Sequence, residues 1–356
     1  MSDKPTLRGR LVAVLVGIVL AGAAAEGVLR IVMPQWREFH SGWFIRKTVV
    51  PGLGVLNIGE PGFDGYFAQN NGDFRVRITV NQFGLRDPEP VAAADGRIWI
   101  IGDSMAFGWG VERDQMYSSV IGRALDAPTY NVASPGTNVC GYQALFARMP
   151  DTVKPRAVVV GLVLENDVRP YDCRAEARGK EREAASGNGD AMIDWIAVKQ
   201  SLTRHLALYN FLAVASKRVD VIREALTAFG VIRKGHVYRR QIADEGFDAA
   251  VEKTADELAA LRAMLPNDTP FAVLIAPARF EIRDGDAFYR RLRRRMTSVL
   301  ASRGIAVIDP YDRFVAAGFG PTHFAHDGHW SALGHRLAGE AAALWLAPRL
   351  PKATRG

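Results

Sequence analysis

The chain has 356 residues, 48% of them hydrophobic and 23% charged, enough to bury one large core or two modest ones. Its 45 Lys and Arg against 38 Asp and Glu leave a net charge of +7, a modest excess that fits an ordinary globular protein. The one dense basic run, Arg291 to Arg295 in "YRRLRRRM", has no aromatic interleaving and no recognised binding motif, so it reads as a solvated helix face and argues against a nucleic-acid partner.

Residues 1–10 carry Lys4, Arg8 and Arg10 against Asp3, and Leu11 to Ala25 follow without a charge. Two readings compete. A cleaved signal peptide would use Leu11–Leu20 as its apolar region and Ala23–Ala25 as the cleavage site. An uncleaved anchor would continue through "EGVLRIVM" to Met33, making residues 11–33 a span of about 20 apolar residues. We favour the anchor, with Glu26 and Arg30 one turn apart and pairing near the far interface. Either way the basic N-terminus stays cytoplasmic and the bulk is exported.

Residues 34–96 read as a β-rich preface, in which Tyr66–Val80 forms a hairpin turning at Asn71-Gly72. From residue 97 to about 350 short apolar runs alternate with helical segments. The runs are Ile98–Ile101, Tyr130–Val132, Ala157–Leu164, Phe271–Ile275 and Ile305–Ile308. Between the first two, Met116, Val120, Ile121, Ala124 and Leu125 share a helical face, with Asp114 as its cap. Such alternation implies an α/β parallel sheet covered on both faces, its strand C-termini along one functional edge. A stretch of about 174–266 interrupts the rhythm. Its polar start, Arg174 to Asp190, reads as a mobile loop, and the whole reads as an insertion on the sheet: a lid, a membrane-facing cap or, the simpler reading, a passive covering layer.

Chemistry gathers at the strand ends. "RIWIIGDSMAFGWG" leaves the first strand at Gly102 and presents Ser104, a weak nucleophile until a base takes its proton. In "HFAHDGHWSALGHRLAGE", Asp327 and His329 stand two apart before a helix capped by Ser331, so the carboxylate can hold one imidazole nitrogen while the other faces outward. An oxyanion needs preorganised donors, and Gly136 in "NVASPGTN" and the side-chain amide of Asn166 in "GLVLENDV" follow the second and third strands. Asp103 has no assigned role beyond bracing the turn. His323, His326, His329 and His335 raise a metal site, but His335 falls within a helical pattern and no second carboxylate or cysteine converges, so no metal and no cofactor is expected. A Gly-x-Ser-x-Gly elbow is absent, because Ala106 stands at its second glycine. Cys140 and Cys173 follow the second and third strands; they form either a disulfide stiffening the oxyanion donors or two separate buried thiols.

Taken together, "GDS" at 102–104, "NVASPG" at 131–136, "END" at 165–167 and "DGH" at 327–329 resemble the four blocks of the SGNH (GDSL-like) hydrolases. The resemblance implies a three-layer α/β/α flavodoxin-like fold. It implies Ser104 as nucleophile, His329 as base oriented by Asp327, and an oxyanion hole of the Ser104 and Gly136 amides with the Asn166 side chain. Leu164 replaces the usual glycine of the third block, and one residue rather than two separates Asp327 from His329. "ITVNQFGLRDPE" with "GDSMAFGWGVERD" looks like a narrower, singly anchored bacterial group linked to envelope or exopolysaccharide modification. The expected protein is an inner-membrane, periplasm-facing serine esterase acting on short acyl esters of a glycan or lipid. An O-acetyltransferase using the same residues is the near alternative, and a non-catalytic envelope- or carbohydrate-binding subunit the distant one.

Overall fold

Two short antiparallel pairs precede the main sheet. Ile45–Val50 (β1) pairs with Gly54–Gly59 (β2), and Asp64–Ala68 (β3) with Arg75–Thr79 (β4). Asp64 holds the second pair together by accepting from Arg77 Nε (2.8 Å) and Nη2 (2.6 Å). The computed structural model describes residues 7–39, 43–69, 72–186, 195–218, 221, 242 and 244–350, so Asn71 of the expected turn lies outside the described residues.

The apolar runs form Ile98–Gly102 (β5), Thr129–Ala133 (β6), Ala157–Val163 (β7), Phe271–Ala276 (β8) and Ala306–Ile308 (β9). All neighbours are parallel, in the order β6-β5-β7-β8-β9. β5, β7 and β8 are buried at every position, as strands covered on both faces must be.

In chain order the helices are Leu7–Val32 (α1), Ser104–Phe107 (α2), Tyr117–Leu125 (α3), Val139–Arg148 (α4), Cys173–Ser186 (α5), Trp195–His205 (α6) and Ala207–Arg218 (α7). They continue with Phe247–Ala263 (α8), Arg279–Asp284 (α9), Ala287–Ser302 (α10), Tyr311–Ala317 (α11), Phe319–Thr322 (α12) and Ala332–Leu346 (α13). α3 packs on α13, and α8 packs on both α4 and α10. Trp99, Ile101, Val158, Val160, Leu162, Val273 and Ile275 belong to one buried cluster with Tyr142, Leu145, Val251, Leu258, Leu292 and Met296. These are alternate residues of β5, β7 and β8, so one sheet face meets α4, α8 and α10. This is the expected α/β/α architecture.

Three local expectations change, and a fourth is met. The polar stretch after Cys173 is helical to Ser186, because Ala, Glu, Arg and Lys are strong helix formers and Asp172 Oδ1 accepts from Ala175 N (2.8 Å) at its start. The rest of that stretch lies outside the described residues. α8, read from sequence within the insertion, buries Phe247, Ala250, Val251, Leu258 and Leu261 in the sheet-covering layer, as the reading of the insertion as a covering layer expects. α3 starts at Tyr117 after Met116, with Asp114 inside a separate 3-10 turn rather than at the cap. The basic run on α10 is largely ion-paired: Arg291 with Asp244, Arg295 with Asp248 and Glu252, and a buried Arg293 with Glu281 and Asp309.

The chain divides into two compact units, one of residues 1–41, 67–72 and 190–234 and one of the remainder. In the smaller, Arg8–Val32 is long and apolar enough to cross a membrane, with mean hydropathy 2.3 and none of the span buried. Arg30 and Glu26 form an ion pair at 2.7 Å. The larger unit holds the sheet and the site described next.

Candidate active site

β5 ends at Gly102, where any side chain would collide: a Cβ there would lie 2.6 Å from Ala106 Cβ and 3.1 Å from Gly161 O. The chain can therefore turn at once into α2, with Ser104 as its first residue. Asp103 caps that helix, its Oδ1 accepting from Met105 N at 2.9 Å. Its Oδ2 accepts from Asn166 Nδ2 at 3.0 Å, so the residue left unassigned in the sequence orients the amide of the third block. Asp103 is buried, and burial pushes its carboxyl above the ordinary value against the opposing hydrogen bond from Asn166. Asn131 also supports α2, donating to Ala106 O at 2.7 Å.

His329 Nε2 lies 2.8 Å from Ser104 Oγ. On its other side His329 Nδ1 is hydrogen-bonded to Asp327 Oδ1. Asp327 and His329 occupy the loop between α12 and α13, and Ser331 caps α13 through Gly334 N, as its position in the sequence suggests. One intervening residue, Gly328, is enough for the Asp327–His329 contact. Ser104, Asn166, Asp327 and His329 line one small cavity of about 30 Å³, together with Glu165, Arg279 and His323.

Gly136 is placed differently. It sits at φ 70° in the loop after β6 and lines a neighbouring cleft of about 450 Å³, whose walls include Lys47, Asn57, Asn138, Cys140, Cys173 and Glu176. That loop is tied to the end of β5, since Ser134 N donates to Gly102 O (3.1 Å) and Thr137 Oγ1 to the same carbonyl (3.3 Å). It is also tied to β2, because Asn57 Nδ2 donates to Pro135 O (3.1 Å) and Ser134 Oγ to Asn57 O (2.6 Å). Cys140 and Cys173 are joined in a disulfide that links the start of α4 to the start of α5 along the cleft.

Several supporting residues carried no sequence signal. Asp73, from the preface, accepts from the backbone N–H of His326 (3.0 Å) and Asp327 (2.7 Å) and contacts His326 Nδ1 at 2.6 Å. Arg279 donates to Glu165 through its backbone N (2.6 Å) and Nε (2.9 Å), and through Nη1 to the Asp327 carbonyl (3.3 Å). It thus joins the third block to the Asp327 loop. Burial raises the Glu165 carboxyl above its usual value, and Arg279 opposes that rise. Arg86 is fully buried and donates to the carbonyls of Phe107, Gly108 and Val111, bracing the glycine-rich exit from α2; burial lowers its pKa to about 9. An aromatic series flanks the site: Phe44 lies 6.0 Å from Trp109, and Trp109 5.8 Å from His329, between ring centroids.

The histidines diverge. His326 pairs with Asp73, His323 contacts Thr322 Oγ1 at 2.9 Å, and His335 Nδ1 accepts from Tyr117 N at 3.3 Å. Burial lowers His323 to about 4 and His335 to about 3, so both are neutral imidazoles at pH 7.

No family model matches the sequence, and no curated protein matches it. Solved structures resemble it in part. One is a lipase/acylhydrolase from Enterococcus faecalis, 15% identical, with 72% of this chain and 97% of that chain covered and a TM-score of 0.41. A member of the lipolytic protein G-D-S-L family from Veillonella parvula DSM 2008 is 15% identical over 71% of this chain and 99% of that chain, with a TM-score of 0.37. A carbohydrate esterase family 2 enzyme with a carbohydrate binding domain from Corynascus thermopiles is 16% identical over 72% and 66%, with a TM-score of 0.39.

Proposed function

We propose that the chain is a serine esterase that cleaves short acyl esters through an acyl-enzyme. The observation that carries this reading is the approach of His329 Nε2 to Ser104 Oγ at 2.8 Å while Asp327 engages Nδ1. In that arrangement Asp327 fixes the tautomer with Nδ1 protonated, which leaves the Nε2 lone pair for the serine proton. As Ser104 Oγ bonds to the ester carbonyl carbon, His329 takes that proton and the carbonyl oxygen becomes an oxyanion. The Ser104 and Gly136 amides and the Asn166 side chain are the donors we assign to it, each such donor contributing about 10²–10³ in kcat. His329 then gives its proton to the departing alcohol. Water, deprotonated by the same imidazole, attacks the acyl-serine; collapse returns Ser104 and releases the acid.

The small volume around Ser104 supports an acyl group as short as acetyl, and the larger cleft beside Gly136 supports a bulky, hydroxyl-bearing alcohol such as a glycan or lipid headgroup. The apolar run from Leu11 and the basic residues Lys4, Arg8 and Arg10 ahead of it support single-pass anchoring with the catalytic unit on the periplasmic side of a bacterial inner membrane. The Cys140–Cys173 disulfide supports an oxidising compartment. A second reading, transfer of the acyl group to a glycan hydroxyl, is favoured by the same cleft, which could seat an acceptor in place of water.

The test uses the full chain in detergent, with a fluorophosphonate probe and p-nitrophenyl esters of two to eight carbons. Covalent labelling and acetate-preferring turnover are expected for wild type and neither for Ser104→Ala. Equal labelling of the two would refute the nucleophile. Product analysis with and without glycan then separates hydrolysis from transfer.

A further inference from the structure

The smaller unit builds a joint that the catalytic reading leaves unused. Glu26 of α1 accepts from the backbone N–H groups of Ala207 (3.0 Å) and Leu208 (2.7 Å), the first two residues of α7. Arg30, one turn further on, donates to Glu26 (2.7 Å) and to the carbonyl of His205 (2.8 Å), the last residue of α6. A carboxylate at a helix start and a guanidinium at a helix end each oppose the helix dipole there and satisfy end groups that lack intrahelical partners. The joint is closed by Asn210, fully buried, whose Nδ2 donates to Trp36 O (3.1 Å) and Thr203 O (2.8 Å). Arg30 also lies over the Trp36 ring, 5.1 Å from its centroid.

The depth of this joint follows from helix rise. At about 1.5 Å per residue, Glu26 stands about 22 Å and Arg30 about 29 Å along the helix from Leu11, against a hydrocarbon layer about 30 Å thick. Arg30 therefore falls at the far hydrocarbon boundary and Glu26 about 8 Å inside it, where an ionised side chain needs partners. Leu206, just ahead of α7, and Phe211 and Leu212 within it are exposed, and α7 packs against α1, whose Val28, Ile31 and Val32 are exposed as well. Large exposed apolar groups on an element packed against a membrane-spanning helix have one natural neighbour, lipid.

We infer that the α6–α7 turn is a membrane-seated element, clamped to the end of the anchor by Glu26 and Arg30, with Phe211 and Leu212 in the acyl-chain boundary of the bilayer. The inference rests on the reading of α1 as an uncleaved anchor. A stretch some 180 residues downstream thereby becomes part of the anchoring device, and α1 is more than a tether.

Both native cysteines are in the disulfide, so a single introduced cysteine can carry a thiol-reactive fluorophore. The full chain is reconstituted in phosphatidylcholine/phosphatidylglycerol vesicles with the label at Phe211→Cys or, separately, at Ile18→Cys in the middle of α1. Nitroxide-bearing lipids and aqueous iodide serve as quenchers, and fluorophosphonate labelling reports folded protein. The Ile18→Cys label is expected to be quenched by deep nitroxides. The Phe211→Cys label should be quenched by shallow nitroxides several-fold more than by iodide, and should shift towards iodide when combined with Glu26→Ala. Lipid quenching at 18 with only iodide quenching at 211 would overturn the membrane seat while leaving the anchor intact. Iodide quenching at 18 would overturn the anchor, and the seat with it. Unchanged lipid quenching at 211 in the Glu26→Ala background would overturn the clamp.

Discussion

Replacing Asp73 by alanine tests whether the preface holds the catalytic loop in register. Its carboxylate, only 6% exposed, receives two backbone N–H bonds from His326 and Asp327 and a third contact from the His326 ring. Hydrogen bonds to a charged group are worth about 1.5–3 kcal/mol each, but His326 is exposed and water can replace part of the loss, so the fold should lose about 2 kcal/mol. The larger effect falls on catalysis. Asp327 N is released two residues from His329, and a displacement of about 1 Å at the reacting groups lowers rates by about 10²-fold. We expect kcat on p-nitrophenyl acetate to fall about 10- to 100-fold with KM little changed, equivalent to about 1.4–2.7 kcal/mol. Asp73→Asn keeps one acceptor oxygen and should fall between. Rates are normalised to the fraction of protein that reacts with the fluorophosphonate probe, so that misfolded chain does not count. A folded Asp73→Ala protein with kcat within twofold of wild type would refute the bracing role.

Two further outcomes follow from the same structure. Replacing both Cys140 and Cys173 by alanine opens a loop of sequence separation 33 and should destabilise the protein by about 3–4 kcal/mol on chain-entropy grounds; a thermal-shift measurement showing no loss would contradict a formed disulfide. His335 is held near pKa 3 in the folded chain against 6.5 when exposed, so between those values the unfolded state binds the extra proton and stability falls as pH falls. His335→Asn, which keeps an acceptor for Tyr117 N, should reduce the drop in urea-unfolding stability between pH 7.5 and pH 5.5 by about 1.4 kcal/mol, and an unchanged pH dependence would show that the imidazole does not titrate on unfolding.

What could be read in advance followed from how local each signal is. The sheet was legible because β5, β7 and β8 are unbroken apolar runs, a pattern that only two-sided burial requires. Ser104, Asp327 and His329 were singled out by the set rather than by their own short blocks, since Gly, Asp and Ser are ordinary turn residues and only their recurrence at several strand ends of one sheet edge gave them weight. Asp73, Arg86 and Arg279 were invisible for the opposite reason. Each is a common charged residue whose partners lie 9 to 254 positions away, so its position in three dimensions, rather than its neighbours in the chain, defines what it does. α5 was hidden because polarity suggested a loop, although a helix of strong formers needs no apolar stripe to exist. α8 was recognisable as a helix, but its amphipathic pattern does not say which neighbour its apolar face will meet.

The aromatic series from Phe44 through Trp109 to His329 bears on what counts as one inheritable piece. Phe44 precedes β5, the first strand of the parallel sheet, by more than fifty residues, yet its ring also lies 6.2 Å from Phe107, inside the helix that Ser104 begins. A boundary drawn at Arg97, where the alternating pattern starts, would sever that aromatic series from the imidazole it reaches. The smallest unit that keeps His329 and its aromatic surroundings together therefore begins near Trp43. Sequence drift in the preface acts on the imidazole through two rings, so it can retune the site without touching any residue of the four blocks.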